Sequence, residues 1–227
     1  MRTALASLLI AGSLPAFAAE TPRYGAELQG FDYPYEVKRF NFESQGNSLQ
    51  MAYMDVQPEK ANGRTVVLMH GKNFCAATWE GSIKALTDAG YRVVAADQVG
   101  FCKSSKPKHY QYSFQQLASN THSLLEQIGV DKVTVMGHSM GGMLATRYAL
   151  LYPEQVEQLV MVNPIGLEDW KTLGVPYLSV DQWYQRELKT TAEASRNYQK
   201  NTYYAGQWRP EFDRWVDMQA GMFNGDG

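Results

Sequence analysis

The segment Gly137-His138-Ser139-Met140-Gly141, followed by Gly142, constrains this chain more than any other feature. It lies between a short apolar run, residues 133–136, and a stretch where Ala145, Tyr148 and Ala149 recur at helical spacing. A serine in that setting sits at the tip of a tight strand-to-helix turn. Glycines two before and two after it let neighbouring backbones close in. A helix starting at the serine also aims the positive end of its dipole at negative charge developing there. The pattern alone recurs by chance; the strand before it and the helix after it make it specific. Ser139 is the candidate nucleophile.

The rest of the chain fits such a turn. Residues 35–42 and 49–56 read as antiparallel strands, with Asn47 as the turn signal between them. Residues 65–69, 91–96, 132–136 and 156–162 are short apolar runs expected to be strands. Between them, residues 80–89 read as a helix ended by Gly90. Residues 113–128 read as another, with Ser113 as N-cap and Phe114, Leu117, His122, Leu125 and Ile128 on one face. Residues 139–152 form a third, closed by Pro153. Strands that alternate with helices predict an α/β fold with a mostly parallel sheet covered on both faces. Residues 164–227 change character: they hold four of the five tryptophans and no strand pattern, with Asp181 as the expected cap of a helix through Lys189.

Charge excludes one large class of partner. Lys and Arg number 21 against 23 Asp and Glu, so there is no basic stripe for nucleic acid. A hydrophobic fraction of 44% excludes an acidic disordered chain. Residues 1–18 read as a bacterial secretory signal peptide: Met1-Arg2, an apolar stretch, Pro15, then Ala16-Phe17-Ala18. The expected location is the periplasm or the outside of the cell. No later apolar run is long enough for a stable membrane span. The two cysteines, Cys75 and Cys102, are candidates for one disulfide in that compartment, with two buried thiols as the alternative. Neither has metal-ligand spacing, and no metal or organic cofactor is implied.

His70-Gly71-Lys72 follows the strand ending at Met69. With it the chain resembles the α/β-hydrolase fold: a three-layer, mostly parallel sheet in which such a turn helps build an oxyanion hole. The resemblance implies that the backbone N–H groups of Met140 and Lys72 hold the oxyanion, with Asn73 a weaker candidate. His70 is read as fixing the turn and His138 as packing beside the elbow. The segment from Asp97 to Pro107 looks like the loop after the fourth strand in capped members of this fold, which often carry Gly where Cys102 stands. Asp97 is then a loop brace. In that fold the loops bearing Cys75 and Cys102 lie on the same rim, which favours the disulfide. Relatives that cleave epoxides or carbon–halogen bonds use Asp at the elbow. Ser139 points instead to acyl transfer on esters, lactones or thioesters, or to carbon–carbon cleavage.

The same resemblance divides the chain into a signal peptide (1–18), the N-terminal part of a hydrolase core (19–163) and an incomplete helical cap (164–227). Aromatic residues of the cap suit a small apolar or aromatic acyl substrate. Arg186, Arg209 and Arg214 are expected on solvated helix faces. The family orders its triad as Ser, acid, His. Here His70, His109, His122 and His138 all precede Ser139, and neither Glu168 nor Asp169 is assigned as the acid. The expectation is a serine hydrolase cut before its last two strands, inactive by itself. The alternatives are a non-catalytic remnant or binding module, and an enzyme with another base such as Lys72.

Overall fold

A computed structural model describes residues 22–224; the expected signal peptide lies outside them. Six strands form one sheet: β1 (Lys38–Ser44), β2 (Asn47–Val56), β3 (Thr65–Met69), β4 (Arg92–Ala96), β5 (Val133–His138) and β6 (Val156–Val162). Their order is β1-β2-β4-β3-β5-β6. β1 and β2 pair antiparallel, as do β2 and β4, and the other pairs are parallel.

The β1–β2 hairpin turns earlier than the sequence suggested. Ser44 pairs with Asn47, so Gln45 and Gly46 form a two-residue turn, with φ of 50° and 71°. Positive φ at both central positions matches the right-handed twist of the strands. Asn47 is the first residue of β2, and its side chain donates back to the Gln45 carbonyl.

The parallel strands are near-continuous apolar runs because both of their faces are covered. Val66 and Leu68 of β3, with Val93 and Ala95 of β4, pack against Trp79 and Ile83 of the α1 side. Here a 3-10 turn (Ala76–Trp79) leads into α1 (Glu80–Asp88). Val67, Met69, Val94 and Ala96 face the other way, onto Leu117, Leu124 and Leu125 of α2 (Phe114–Gln127) and Leu144, Ala145 and Tyr148 of α3 (Met140–Leu151). Ser113 caps α2 by accepting the Gln116 N–H. β6 has only β5 beside it among the described residues, and its Leu159 and Met161 are 37% and 42% exposed.

Beyond β6 the chain is helical: α4 (Val180–Glu187), α5 (Ala192–Thr202) and α6 (Asp213–Phe223). Ser179, not Asp181, caps α4; its hydroxyl accepts from Gln182 N–H while the Gln182 side chain accepts the Ser179 N–H. A serine three residues before glutamine satisfies two end groups at once, which a lone Asp181 inside the first turn does not. α4 buries no residue. α6 does the docking. Its Met218 joins Leu28, Phe31, Phe74, Cys75 and Cys102 in a buried cluster. Tyr24 pairs through its N–H with the Gly221 carbonyl, and a side chain at Gly221 would strike the Tyr24 ring, 2.1 Å away. The segment before β1 thus straps α6 onto the core.

Candidate active site

Ser139 follows β5 directly and stands at the N-cap of α3, with φ 55° and ψ −118°. A non-glycine residue there stores about 1–3 kcal/mol of strain, sustained only by its surroundings. Those surroundings are visible. The Ser139 N–H donates to the Val162 carbonyl at 3.2 Å, and its carbonyl accepts from Gly142 and Ile165. A Cβ on Gly137 would lie 2.0 Å from the Gly141 carbonyl oxygen, and one on Gly141 would lie 2.1 Å from that of Met69. The glycines of the motif are therefore required by close backbone approach. The Ser139 hydroxyl caps no N–H of α3.

The His70-Gly71-Lys72 turn lies against this elbow. The position of a Cβ on Gly71 is 3.2 Å from Ser139 Cβ and 3.1 Å from His138 Nδ1. His70 is buried. Its Nε2 accepts the Gln98 N–H at 3.0 Å, so Nδ1 carries the proton and donates to the Gly71 carbonyl at 2.9 Å. Burial pushes its pKa below the ordinary value, against an opposing pull from Asp97. Met140 opens α3, so its N–H has no carbonyl one turn back. Among the described residues, neither it nor the Lys72 N–H donates to a backbone carbonyl. The Lys72 ammonium turns away and pairs with Glu187 of α4 at 2.6 Å, which leaves a Ser–Lys pair without geometric support.

The other histidines are engaged elsewhere. His122 stacks on Tyr152 and hydrogen-bonds the Gln155 side chain. His109 is exposed on the loop before α2. The His138 ring faces Phe74, Trp79 and Tyr203, and burial lowers its pKa.

Cys75 and Cys102 are joined as a disulfide with Cα atoms 5.9 Å apart. Cys102 has φ 49°, a conformation that suits the glycine expected there by resemblance. Asp97, fully buried, braces the same loops: Oδ1 accepts the Ala76 N–H at 2.8 Å, and Oδ2 accepts the Tyr33 hydroxyl at 2.6 Å and the Lys103 N–H at 3.0 Å. Burial, then the Asp97 charge, raises the Tyr33 pKa well above its ordinary value. The two sulfurs and this carboxylate lie close together, but all three are committed to bonds of their own.

Arg186 lies over Trp183, and Arg209 pairs with Glu211 beside it. Arg214 keeps a side chain 38% exposed, as expected of a solvated helix face, and also has a structural partner. It donates to Glu80 of α1 at 2.8 Å and to the Asp32 carbonyl, tying α6 to the core. The cap aromatics divide: Tyr203, Tyr204 and Trp215 turn inward to a cavity beside the elbow, whereas Tyr177 is 88% exposed. Trp79, on the core side of that cavity, carried no sequence signal beyond an aromatic residue before a helix.

Residues 64–216 match the family described as alpha/beta hydrolase fold, and the chain belongs to that family. It is 71% identical to a probable hydrolytic enzyme of Pseudomonas aeruginosa of known structure, with a TM-score of 0.89 over 91% of this chain and 66% of that one. An AB hydrolase superfamily protein of Bacillus subtilis is 37% identical over 46% of this chain and 37% of its own. A haloalkane dehalogenase of Mycolicibacterium paratuberculosis is 32% identical over 58% and 44%. The chain thus spans less than half the length of these two curated relatives. Among the described residues, no helix is long and apolar enough to cross a membrane.

Proposed function

We propose that Ser139 is the nucleophile of an acyl hydrolase acting on a small apolar or aromatic ester or a related acyl compound. The observation that carries this is the strained φ of Ser139 at the start of α3, held by glycines that admit no side chain. Strain of this kind is kept where a side chain must project from a fixed point. Similarity to a dehalogenase does not favour carbon–halogen cleavage, because position 139 offers a hydroxyl and not the carboxylate the resemblance associates with that chemistry.

In the proposed reaction the Ser139 oxygen bonds to the acyl carbon as its proton passes to a base. The carbonyl oxygen becomes an anion between the N–H groups of Met140 and Lys72. Collapse expels the alcohol, protonated by the same base, and water then releases the acid. Each oxyanion donor is worth about 2.7–4 kcal/mol in the transition state.

We infer that none of the four histidines acts as the base where the structure places them: both ring nitrogens of His70 are occupied, His122 is stacked and hydrogen-bonded away from the elbow, the His138 ring packs against Phe74, Trp79 and Tyr203, and His109 is exposed before α2. Loss of a triad base costs about 10⁶ in kcat, so the 227-residue chain alone should leave p-nitrophenyl esters essentially unhydrolysed. Rapid turnover by it would overturn this assignment. A binding module without catalysis is the second function to weigh; it predicts no covalent adduct on Ser139 in any form of the protein. The proposed location is the periplasm or the cell exterior, a setting that the Cys75–Cys102 disulfide suits.

A further inference from the structure

The turn that carries the Lys72 N–H is lightly built. One hydrogen bond closes it, from the Phe74 N–H to the Gly71 carbonyl at 3.1 Å. Lys72 and Asn73 are its middle residues, and Lys72 is exposed. A turn with one internal bond and an exposed centre opens easily. An oxyanion donor has to be fixed before charge develops, so the hold on this turn must come from elsewhere.

The cap supplies two contacts. The Tyr203 ring meets Phe74 edge-on, with centroids 5.1 Å apart. Glu187, the last residue of α4, pairs with the Lys72 ammonium at 2.6 Å. Among the described residues this is the one ion pair that joins α4 to the core. α4 has eight residues and buries none, and a helix that short is not stable by itself. The chain leading to it starts at the elbow, where the Ile165 N–H donates to the Ser139 carbonyl at 3.3 Å. From 165 to 189 only Leu178 and Ser179 are even half-buried. This arch therefore begins on the backbone of Ser139 and ends on the oxyanion turn, with little packing between. Lys72 and Glu187 are 51% and 44% exposed, and pairs so placed add little to global stability. Their effect is local to the turn and to α4.

We propose that Glu187 is a positioning residue: through the Lys72 side chain it holds the oxyanion turn in its working geometry. Its bearing on the reaction rests on the assignment of Ser139 as nucleophile and of the Lys72 N–H as oxyanion donor. Glu187 itself touches no reacting atom.

The test compares the protein as its host makes it with Glu187→Gln, Lys72→Gln and the double variant, all at low salt. Hydrogen exchange read by mass spectrometry over residues 71–74 and 180–187 measures the hold without any acylation. Each single variant should exchange about two- to fivefold faster in both segments, the size of one exposed ion pair. The double variant should be no faster than either. Salt at about 1 M should carry the parent toward Glu187→Gln and leave that variant unmoved. A neutral fluorophosphonate reads the consequence at Ser139: the serine oxygen bonds to phosphorus, fluoride leaves, and the phosphoryl oxygen occupies the oxyanion hole. The limiting rate at saturating probe should fall about two- to fivefold in Glu187→Gln, with Tm unchanged. Unchanged exchange in Glu187→Gln, single effects that multiply in the double variant, or faster exchange in 180–187 alone would each overturn the proposal. The two assignments fail separately. Exchange that responds as expected in a protein taking no label keeps the hold on the turn and removes the nucleophile. Labelling whose rate, like the exchange, ignores Glu187→Gln does the reverse.

Discussion

Cutting the Cys75–Cys102 bond should cost this fold much of its stability. The bond spans a sequence separation of 27. Closing a loop of that length lowers the entropy of the unfolded chain by an amount worth about 3.5 kcal/mol at room temperature. That is a large share of the 5–15 kcal/mol typical of a whole domain. Both sulfurs are buried beneath Met218 and Leu28, so replacing both cysteines by alanine leaves small apolar side chains and no stray thiol. The bracing hydrogen bonds of Asp97 to Ala76 and Lys103 remain in the variant, which confines the effect to the lost cross-link. For a domain of this size, 1 kcal/mol shifts Tm by about 2–4 °C. The Cys75→Ala/Cys102→Ala protein should therefore melt about 7–14 °C below the parent, measured by circular dichroism without reductant. Reductant should move the parent toward the variant and leave the variant unchanged. A double variant melting within 2 °C or so of the parent would falsify the cross-link account.

Other outcomes follow from single contacts. Asp97→Ala leaves the Ala76 and Lys103 N–H groups and the Tyr33 hydroxyl without their acceptor; at about 1 kcal/mol or more for each, urea denaturation should show a loss of about 3 kcal/mol or more. Gly141→Ala drives a methyl to 2.1 Å from the Met69 carbonyl and should abolish soluble folded protein. Gly81→Ala meets nothing within 4 Å and should gain up to about 1 kcal/mol from helix propensity. The pKa of His70 and that of His138 are lowered by burial, so the unfolded chain binds more protons than the folded one just below pH 6.5. Stability from this source is complete above that value and is lost progressively as pH falls below it and through the lower folded-state pKa. Unfolding free energies at pH 7.5 and 5.5 should differ in that direction, and the difference should shrink in His138→Phe.

Much of the site was legible because local chemistry fixes it. The glycines around Ser139 are demanded by backbone contacts under 3 Å, and Ser113 caps α2 through a bond to a residue three positions on. The sequence is ambiguous where two nearby residues compete for one role. Gln45-Gly46 took the turn from Asn47 because the register of β1 with β2 allows only two residues between them. Ser179 took the cap from Asp181 because Gln182 could reciprocate. What stayed hidden was contact between distant segments of no periodic pattern: Tyr24 on Gly221, Arg214 on Glu80 and Lys72 on Glu187. Sequence spacing carries no record of such pairs. Family resemblance brought Cys75 and Cys102 to one rim, while their burial under α6 depends on helix docking that resemblance did not specify.

On the proposed function, Ser139 is the nucleophile that becomes acylated. A fluorophosphonate probe, applied to the protein as its host makes it and followed by peptide mass mapping, tests this directly. The expected result is one adduct, on the peptide holding Gly137-His138-Ser139-Met140-Gly141, absent in Ser139→Ala. Unlabelled protein, or an adduct on any other residue, would contradict it.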